Sequence, residues 1–331
     1  MKVSIRDLSK MTGFSPATIS NALNHKKGVN RETAEEIFRV ARETGYLSAN
    51  AVTKIRLVIF KKNGQILEET PFFQQMIEEE CHRLGYEMVI SHVDQRNPNY
   101  QKQVRDLLEE QGVGIILLGT EMMDGDLSLY RNASCPVLLL DHWTESMDFN
   151  SVLINNADAA RAITEHLLDN GHREVGYLRG NYRIKAFRSR FIGFQTALKK
   201  YKVPYKEEYT VTVGTYMSTA CQDMLEYLKK KPKLPTAFFA DNDIIALGAM
   251  KALQEMGYRI PEDISIVGFD DLTFSEISSP PLTTLRVEKR EMGKMAVRRL
   301  VELIDGIGTS TVTKIQVCPK IIYRNTVKNI K

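Results

Sequence analysis

The sequence predicts a small all-α head followed by a larger α/β core of two lobes, each a parallel sheet with helices on both faces. Three observations carry this expectation. The first 46 residues read as three short capped helices with no alternating strand pattern. From Ile55 onward, short β-rich apolar runs alternate with amphipathic stretches, the arrangement that builds parallel sheets covered by helices. Charge divides near the same point: residues 1–54 hold nine Lys plus Arg against five Asp plus Glu, whereas the remaining 277 residues hold 36 of each. A basic head on a neutral body suits a head that meets a polyanion and a body with a different task.

The chain of 331 residues is long enough for two or three domains, and 43 % hydrophobic with 26 % charged residues is ordinary globular composition. A disordered or fibrous chain is thereby excluded. No run of 18 apolar residues is present and the N-terminus has no secretory apolar segment, so a cytoplasmic protein with no membrane partner is expected. Cys81, Cys135, Cys221 and Cys318 are widely spaced without a Cys-x-x-Cys pair, which fits free thiols in a reducing compartment.

In the head, Ser4 opens a Ser-x-x-Asp capping box, and Ile5, Leu8 and Met11 fall on one helical face. Gly13 supplies a turn, Ser15 a second N-cap, and Pro16 the first helical position, where a missing N–H is harmless. Ile19 and Leu23 face inward. A third helix starts near Asn30, buries Ala34, Ile37 and Ala41, and ends at Gly45. Helix, short Gly-containing turn and helix form the helix-turn-helix pattern, whose second helix enters the DNA major groove. The outward side chains of that helix, Pro16, Ala17, Thr18, Asn21 and Asn24, are small or amide-bearing and suit close approach to base edges. A small helical bundle that docks on protein is the competing reading of the same pattern.

The runs Ser4-Ile5-Arg6-Asp7-Leu8-Ser9, Gly13-Phe14-Ser15-Pro16-Ala17-Thr18-Ile19-Ser20-Asn21-Ala22-Leu23-Asn24 and Val29-Asn30-Arg31-Glu32-Thr33, through to Gly45-Tyr46, resemble the DNA-binding head of the LacI/GalR family of bacterial transcription regulators. The resemblance implies contacts to operator DNA from Ser15, Pro16, Ala17, Thr18, Ser20 and Asn21. With Ser4 and Asn24 these form the candidate DNA-facing set. Family members usually carry arginine where this chain has Asn21, so a bidentate guanine reader is missing and a different operator sequence is expected. The linker also departs from the pattern. Leu47-Ser48-Ala49-Asn50-Ala51-Val52-Thr53-Lys54 lacks the family's hinge helix and its Arg-x-Leu wedge. Eight extended residues reach about 26–29 Å, enough for the head to contact DNA, but a weaker minor-groove kink is expected.

In the core, strands are predicted at Leu57–Phe60, Glu87–Ile90, Gly114–Leu118, Val137–Leu140 and Val152–Ile154. A second set covers Val175–Leu178, Tyr209–Val213, Ala237–Ala240 and Ser265–Phe269. Helices at Phe72–Leu84, Ala157–Asn170, Ser218–Lys230 and Ile244–Met256 lie between them, with Gly85, Gly171 and Gly257 as C-caps. Segments after Pro280 are expected to cross back between lobes. Ligands of open α/β sheets sit beyond the carboxyl ends of strands, where Asp141, Asn242 and Asp270 fall. Short polar residues there can equally be N-caps, the reading favoured for Asp243 and Asp271.

The core resembles the same family's effector-binding domain, itself similar to periplasmic sugar-binding proteins. The stretches that carry this are Val152-Leu153-Ile154-Asn155-Asn156, Gly171-His172-Arg173, Arg190-Phe191-Ile192-Gly193-Phe194 and Asp241-Asn242-Asp243. To these add Pro261-Glu262-Asp263-Ile264-Ser265-Ile266-Val267-Gly268-Phe269-Asp270-Asp271 and Ser279-Pro280-Pro281-Leu282-Thr283-Thr284. The resemblance assigns effector contacts to Phe72, Phe73, Asp141, Arg190, Tyr216, Asn242 and Asp270. Carboxylates and an arginine fork can bracket a polyol's hydroxyls, and an aromatic face can stack on a sugar ring. Core packing competes for Phe72 and Phe73, a surface role competes for Tyr216, and Trp143 is a further stacking candidate.

The domain boundaries expected are 1–46 for the head, 47–54 for a shortened linker and 55–331 for the core. Within the core, an N-lobe covers about 55–153 and 284–311, and a C-lobe about 154–283 and 312–326. The six histidines show no metal-ligand spacing, and no Gly-x-Ser-x-Gly elbow or phosphate-cradling loop is present. No metal, no cofactor and no catalytic residue are therefore expected. The function expected is a homodimeric transcription regulator, in the repressing sense, that binds a pseudo-palindromic operator. A small effector between the lobes controls it, a sugar or glycoside ahead of a purine. The rivals are a sugar-binding module whose head docks on protein, and a sugar-modifying enzyme that pairs Asp141 with Asp270.

Overall fold

A computed structural model of the chain describes residues 3–23, 28–46, 54–63, 70–110, 112–306 and 311–331, with the backbone alone at 31 and 70–72. The chain divides into two compact units, Met1–Leu153 with Lys289–Ile315 and Ile154–Glu288 with Gln316–Lys331.

The first unit opens with α1 (Ile5–Thr12), α2 (Pro16–Leu23) and α3 (Arg31–Glu43). The Ser4 hydroxyl accepts from the Asp7 amide at 3.3 Å, and the Asp7 carboxylate accepts from the Ser4 amide at 3.0 Å. The reciprocal pair satisfies two free donors of the first turn. Hydrogen bonds from Ser4 also hold the Asp7 carboxyl below the usual carboxylate range. The Ser15 hydroxyl accepts from the Thr18 amide at 3.1 Å, and the Asn30 side chain caps α3 through the Thr33 amide at 2.8 Å. Leu8, Ile19, Ala22, Ala34, Ile37, Val40 and Ala41 form the core of this bundle, with Phe14 packed against it. Met11, expected on the buried face of α1, is 59 % exposed. The Gly13 turn brings Phe14 against the bundle, and the inward row of α1 is carried by Ile5 and Leu8.

The elements then follow as β1 (Lys54–Lys61), α4 (Thr70–Arg83), β2 (Glu87–Asp94), α5 (Tyr100–Glu109), β3 (Val113–Leu118), β4 (Val137–Leu140) and β5 (Asn150–Ile154). In the second unit come α6 (Asn156–Asp169), β6 (Val175–Gly180), α7 (Lys185–Lys200), β7 (Thr210–Val213), α8 (Met217–Lys229) and β8 (Ala237–Ala240). After these come α9 (Asp243–Glu255), β9 (Ser265–Val267), α10 (Thr273–Ile277) and β10 (Thr284–Arg286). The chain returns through α11 (Lys289–Asp305), β11 (Lys314–Val317) and β12 (Lys320–Ile322).

One sheet runs in the order β11-β5-β4-β3-β1-β2, parallel from β5 through β2. Every residue of β3 is buried, which is why it reads as an unbroken apolar run rather than an alternating one. The other sheet is four parallel strands, β7-β6-β8-β9. Its last strand stops at Val267 because the next amides turn elsewhere: Gly268 donates to Thr283 at 3.0 Å and Asp270 to Leu285 at 2.8 Å. Strands β10 and β12 form a separate antiparallel pair. Gly193 on α7 allows close packing on α6, since a Cβ there would lie 2.1 Å from the Ala157 carbonyl oxygen. Among the described residues, no helix is long and apolar enough to cross a membrane.

Candidate functional site

In the second unit, the carboxyl ends of β6, β8 and β9 deliver Gly180, Asp241-Asn242 and Asp270-Asp271 to one polar cluster. Arg190, on α7, reaches into it. Its Nη2 lies 3.1 Å from Asp270 Oδ1, its Nε donates to Asn156 Oδ1 at 2.8 Å, and its Nη1 donates to the Asp241 carbonyl at 2.6 Å. The guanidinium carbon lies 3.6 Å from the Phe269 ring centroid. The arginine and aspartate side chains are only 5 % and 7 % exposed. All three kinds of guanidinium nitrogen are therefore engaged, and the fork is held in one orientation.

Asp241 is fully buried and accepts from the Tyr177 hydroxyl at 2.5 Å, from the Gly180 amide at 2.8 Å, and from Arg183. Burial raises its carboxyl above the ordinary range, while the Arg183 charge opposes that. Burial also pushes the Tyr177 phenol well up, so it stays protonated and acts as donor. The sequence reading did not single out Asp241, Arg183 or Asn156 as site residues. Asp241 carried the available signal, because it is the first residue beyond β8.

Two capping expectations are corrected. Asn242, not Asp243, is the N-cap of α9, its Oδ1 accepting from the Ile245 amide at 3.0 Å. Asp243 is instead buried and accepts from the Leu272 amide at 2.9 Å and the hydroxyls of Ser275 at 2.6 Å and Thr284 at 2.5 Å. Burial, helped by the neighbouring Asp270 charge, raises its carboxyl to about 7. Asp271 is not a cap either: it pairs with Arg286 at 2.6 Å and Arg324 at 2.7 Å. Asp270 and Asp271 have φ of 113° and 53°. Non-glycine residues in that region cost on the order of 1–3 kcal/mol each and concentrate where a site needs them.

Tyr216 stands just before α8 and is 44 % exposed. In the first unit, Asp141 follows β4 at φ 54° and accepts from the Thr120 hydroxyl at 2.7 Å. Trp143 is 43 % exposed, whereas Phe73 is buried at 2 % and packs within its unit. The Phe72 side chain lies outside the described residues. In the head, Ser15, Pro16 and Ala17 are exposed and Thr18, Ser20 and Asn21 half-buried along α2. The Ser4 hydroxyl donates to Asp7 at 2.6 Å. Asn24 and residues 47–53 of the linker lie outside the described residues. Among the described residues, no group of three metal-ligating side chains converges.

Residues 164–327 match the periplasmic binding protein-like domain family. The HTH-type transcriptional repressor PurR of Haemophilus influenzae is 30 % identical over 334 residues, covering 98 % of this chain and 99 % of its own. The chain belongs to the LacI/GalR family. Solved structures agree with this LacI/GalR assignment. The lac repressor dimer bound to operator and the anti-inducer ONPF has a TM-score of 0.73 at 25 % identity, covering 99 % of this chain and 100 % of that one. A CelR–cellobiose complex shares the fold at a TM-score of 0.73 and 24 % identity, covering 98 % and 100 %. LacI/GalR proteins are transcription regulators with an effector-binding core, not enzymes, so the catalytic reading of Asp141 and Asp270 is set aside.

Proposed function

We propose that this LacI/GalR regulator acts in the cytoplasm as a homodimeric repressor on a pseudo-palindromic operator, and that a sugar or glycoside held by its core controls it. The observation that carries the effector class is the buried fork of Arg190, oriented by Asp270, Asn156 and the Asp241 carbonyl. Its charge is already balanced by Asp270, as that of Arg183 is by Asp241. A neutral ligand rich in hydroxyls uses such fixed donors and acceptors without adding an uncompensated charge. Asn242 adds an amide and Tyr216 a stacking face.

The DNA reading rests on the exposed N-terminal half of α2 and the basic surplus of the head. Thermal-shift screening of the full chain against sugars, glycosides and purines tests the effector: a polyol should stabilise it and Asp270→Ala should remove the shift while operator binding remains. Stabilisation by purines alone would overturn the polyol assignment. Binding to genomic DNA fragments should weaken steeply with salt. Binding to none would favour a head that docks on protein.

A further inference from the structure

The third head helix does not stand free of the rest of the first unit. Arg42, near the end of α3, places Nη1 3.1 Å from both carboxylate oxygens of Asp305, the last residue of α11. Its Nη2 donates to the Leu84 carbonyl at 2.9 Å, and its guanidinium carbon lies 4.0 Å from the Tyr86 ring centroid. The Tyr86 hydroxyl closes the set by donating to Asp305 at 3.3 Å. Both charged side chains are almost sealed from water, at 2 % and 6 % exposure. Beside them, α3 comes down on Gly85, where a Cβ would sit 3.1 Å from Arg39 Cγ and 3.3 Å from the Arg39 carbonyl oxygen. At the rim, Arg83 lies 3.8 Å from Glu35.

We propose that Arg42, Asp305 and Tyr86 form a latch that fixes the DNA-binding head on the core, so that the body surface sets the orientation of the head. Three features give this latch a role beyond packing. The linker sequence departs from the family pattern by lacking an Arg-x-Leu pair, so an added contact that orients the head has a place. The seam is made by α3, and the exposed residues of α2 belong to a different helix, so a latched head still presents its reading face. Asp305 ends a helix of 17 residues, about 25 Å long, whose first residue is where the chain re-enters this unit from the other. The head is thereby tied to an element continuous with the crossover.

The latch rests on the DNA-binding reading above and has a consequence of its own. Two heads held at a fixed separation tolerate one half-site spacing, whereas tethered heads tolerate several. The test uses the full chain and duplexes selected by it from a random library, re-synthesised with the spacer changed by one to three base pairs. The unaltered protein should lose about tenfold in affinity at two base pairs from its optimum, while Asp305→Asn and Arg42→Ala should bind all spacings within about threefold.

Variants that keep the unaltered spacing profile would overturn the latch. Binding of Arg42→Ala to an isolated half-site checks that the head is folded. If that is lost, Asp305→Asn, which lies outside the head, decides the outcome. Should no duplex be selected at all, the DNA-binding reading fails, and hydrogen exchange without DNA still judges the latch. Amides of α3 and residues 84–86 should exchange about tenfold faster in Asp305→Asn. Equal rates would again overturn it.

Discussion

Two buried Arg–Asp pairs, one in each unit, use the same chemistry under different constraints. Arg190 lies over Phe269 and pairs with Asp270; Arg42 lies over Tyr86 and pairs with Asp305. At Arg190, Nε, Nη1 and Nη2 each meet a different acceptor, and the aspartate has a left-handed backbone beyond a strand end. At Arg42, one nitrogen serves both carboxylate oxygens, a second meets a carbonyl, and the buried Nε has no hydrogen-bond partner among the described residues. Its aspartate ends a regular helix. Saturation and local strain mark a site built to hold a fork still for a ligand. The unpartnered Nε at Arg42 leaves part of its desolvation uncompensated, so opening that interface returns hydration that opening the fork does not.

The strongest way to break this comparison is Asp270→Ala. It leaves a buried guanidinium without its charge partner, which costs about 3–5 kcal/mol, and chemical denaturation should show that loss together with a vanished effector response. A smaller effect is expected at the other pair. A double-mutant cycle on Arg42 and Asp305 should give a coupling of about 2 kcal/mol from denaturation midpoints, less than the same cycle on Arg190 and Asp270. Equal couplings would remove the distinction.

The pH dependence sharpens the picture at Asp270 from its neighbour. An unfolded aspartate ionises near 3.9, whereas buried Asp243 titrates at about 7. Between those values the folded chain holds a proton that the unfolded chain does not, so this group lowers stability as pH rises from about 4 to about 7. Melting temperatures across that window should fall with pH, and Asp243→Asn should remove up to about 3 kcal/mol of that pH-dependent loss. On the head, Asn21→Ala should weaken specific operator binding by about 1–2 kcal/mol and leave effector binding unchanged, as read by gel shift and thermal shift. The smallest expected signal is in the DNA itself: a phasing assay should show a weaker central bend than a hinge-helix wedge produces.

Legibility followed sequence distance. The caps at Ser4, Ser15 and Asn30 and the parallel strands of both sheets could be read directly, because each depends on neighbours within a few residues or on an apolar run. Asn242 and Asp243 were harder, since one residue of register decides which side chain caps α9 and which is buried among Ser275 and Thr284. Asp270 could be read from its place beyond a strand end, whereas Arg190 was reached through family likeness, which also proposed Phe73, a residue the structure buries. Met11 followed the right helical period yet stayed exposed, because the bundle closes over Phe14 instead.

The order of elements, the split of charge at residue 54 and the family were properties of the chain as written. Helix caps, turn glycines and apolar periodicity are short-range and survive without knowledge of the fold. Partner choice for the buried charges was a different matter. Arg42 and Asp305 are separated by 263 residues and Arg190 and Asp270 by 80, and nothing local distinguishes these arginines from the exposed ones. Only packing removes the water around them, and once water is gone a charge must find its counterion or not be buried at all. That requirement, met in three dimensions, is what turned two ordinary arginines into a ligand fork and a head latch.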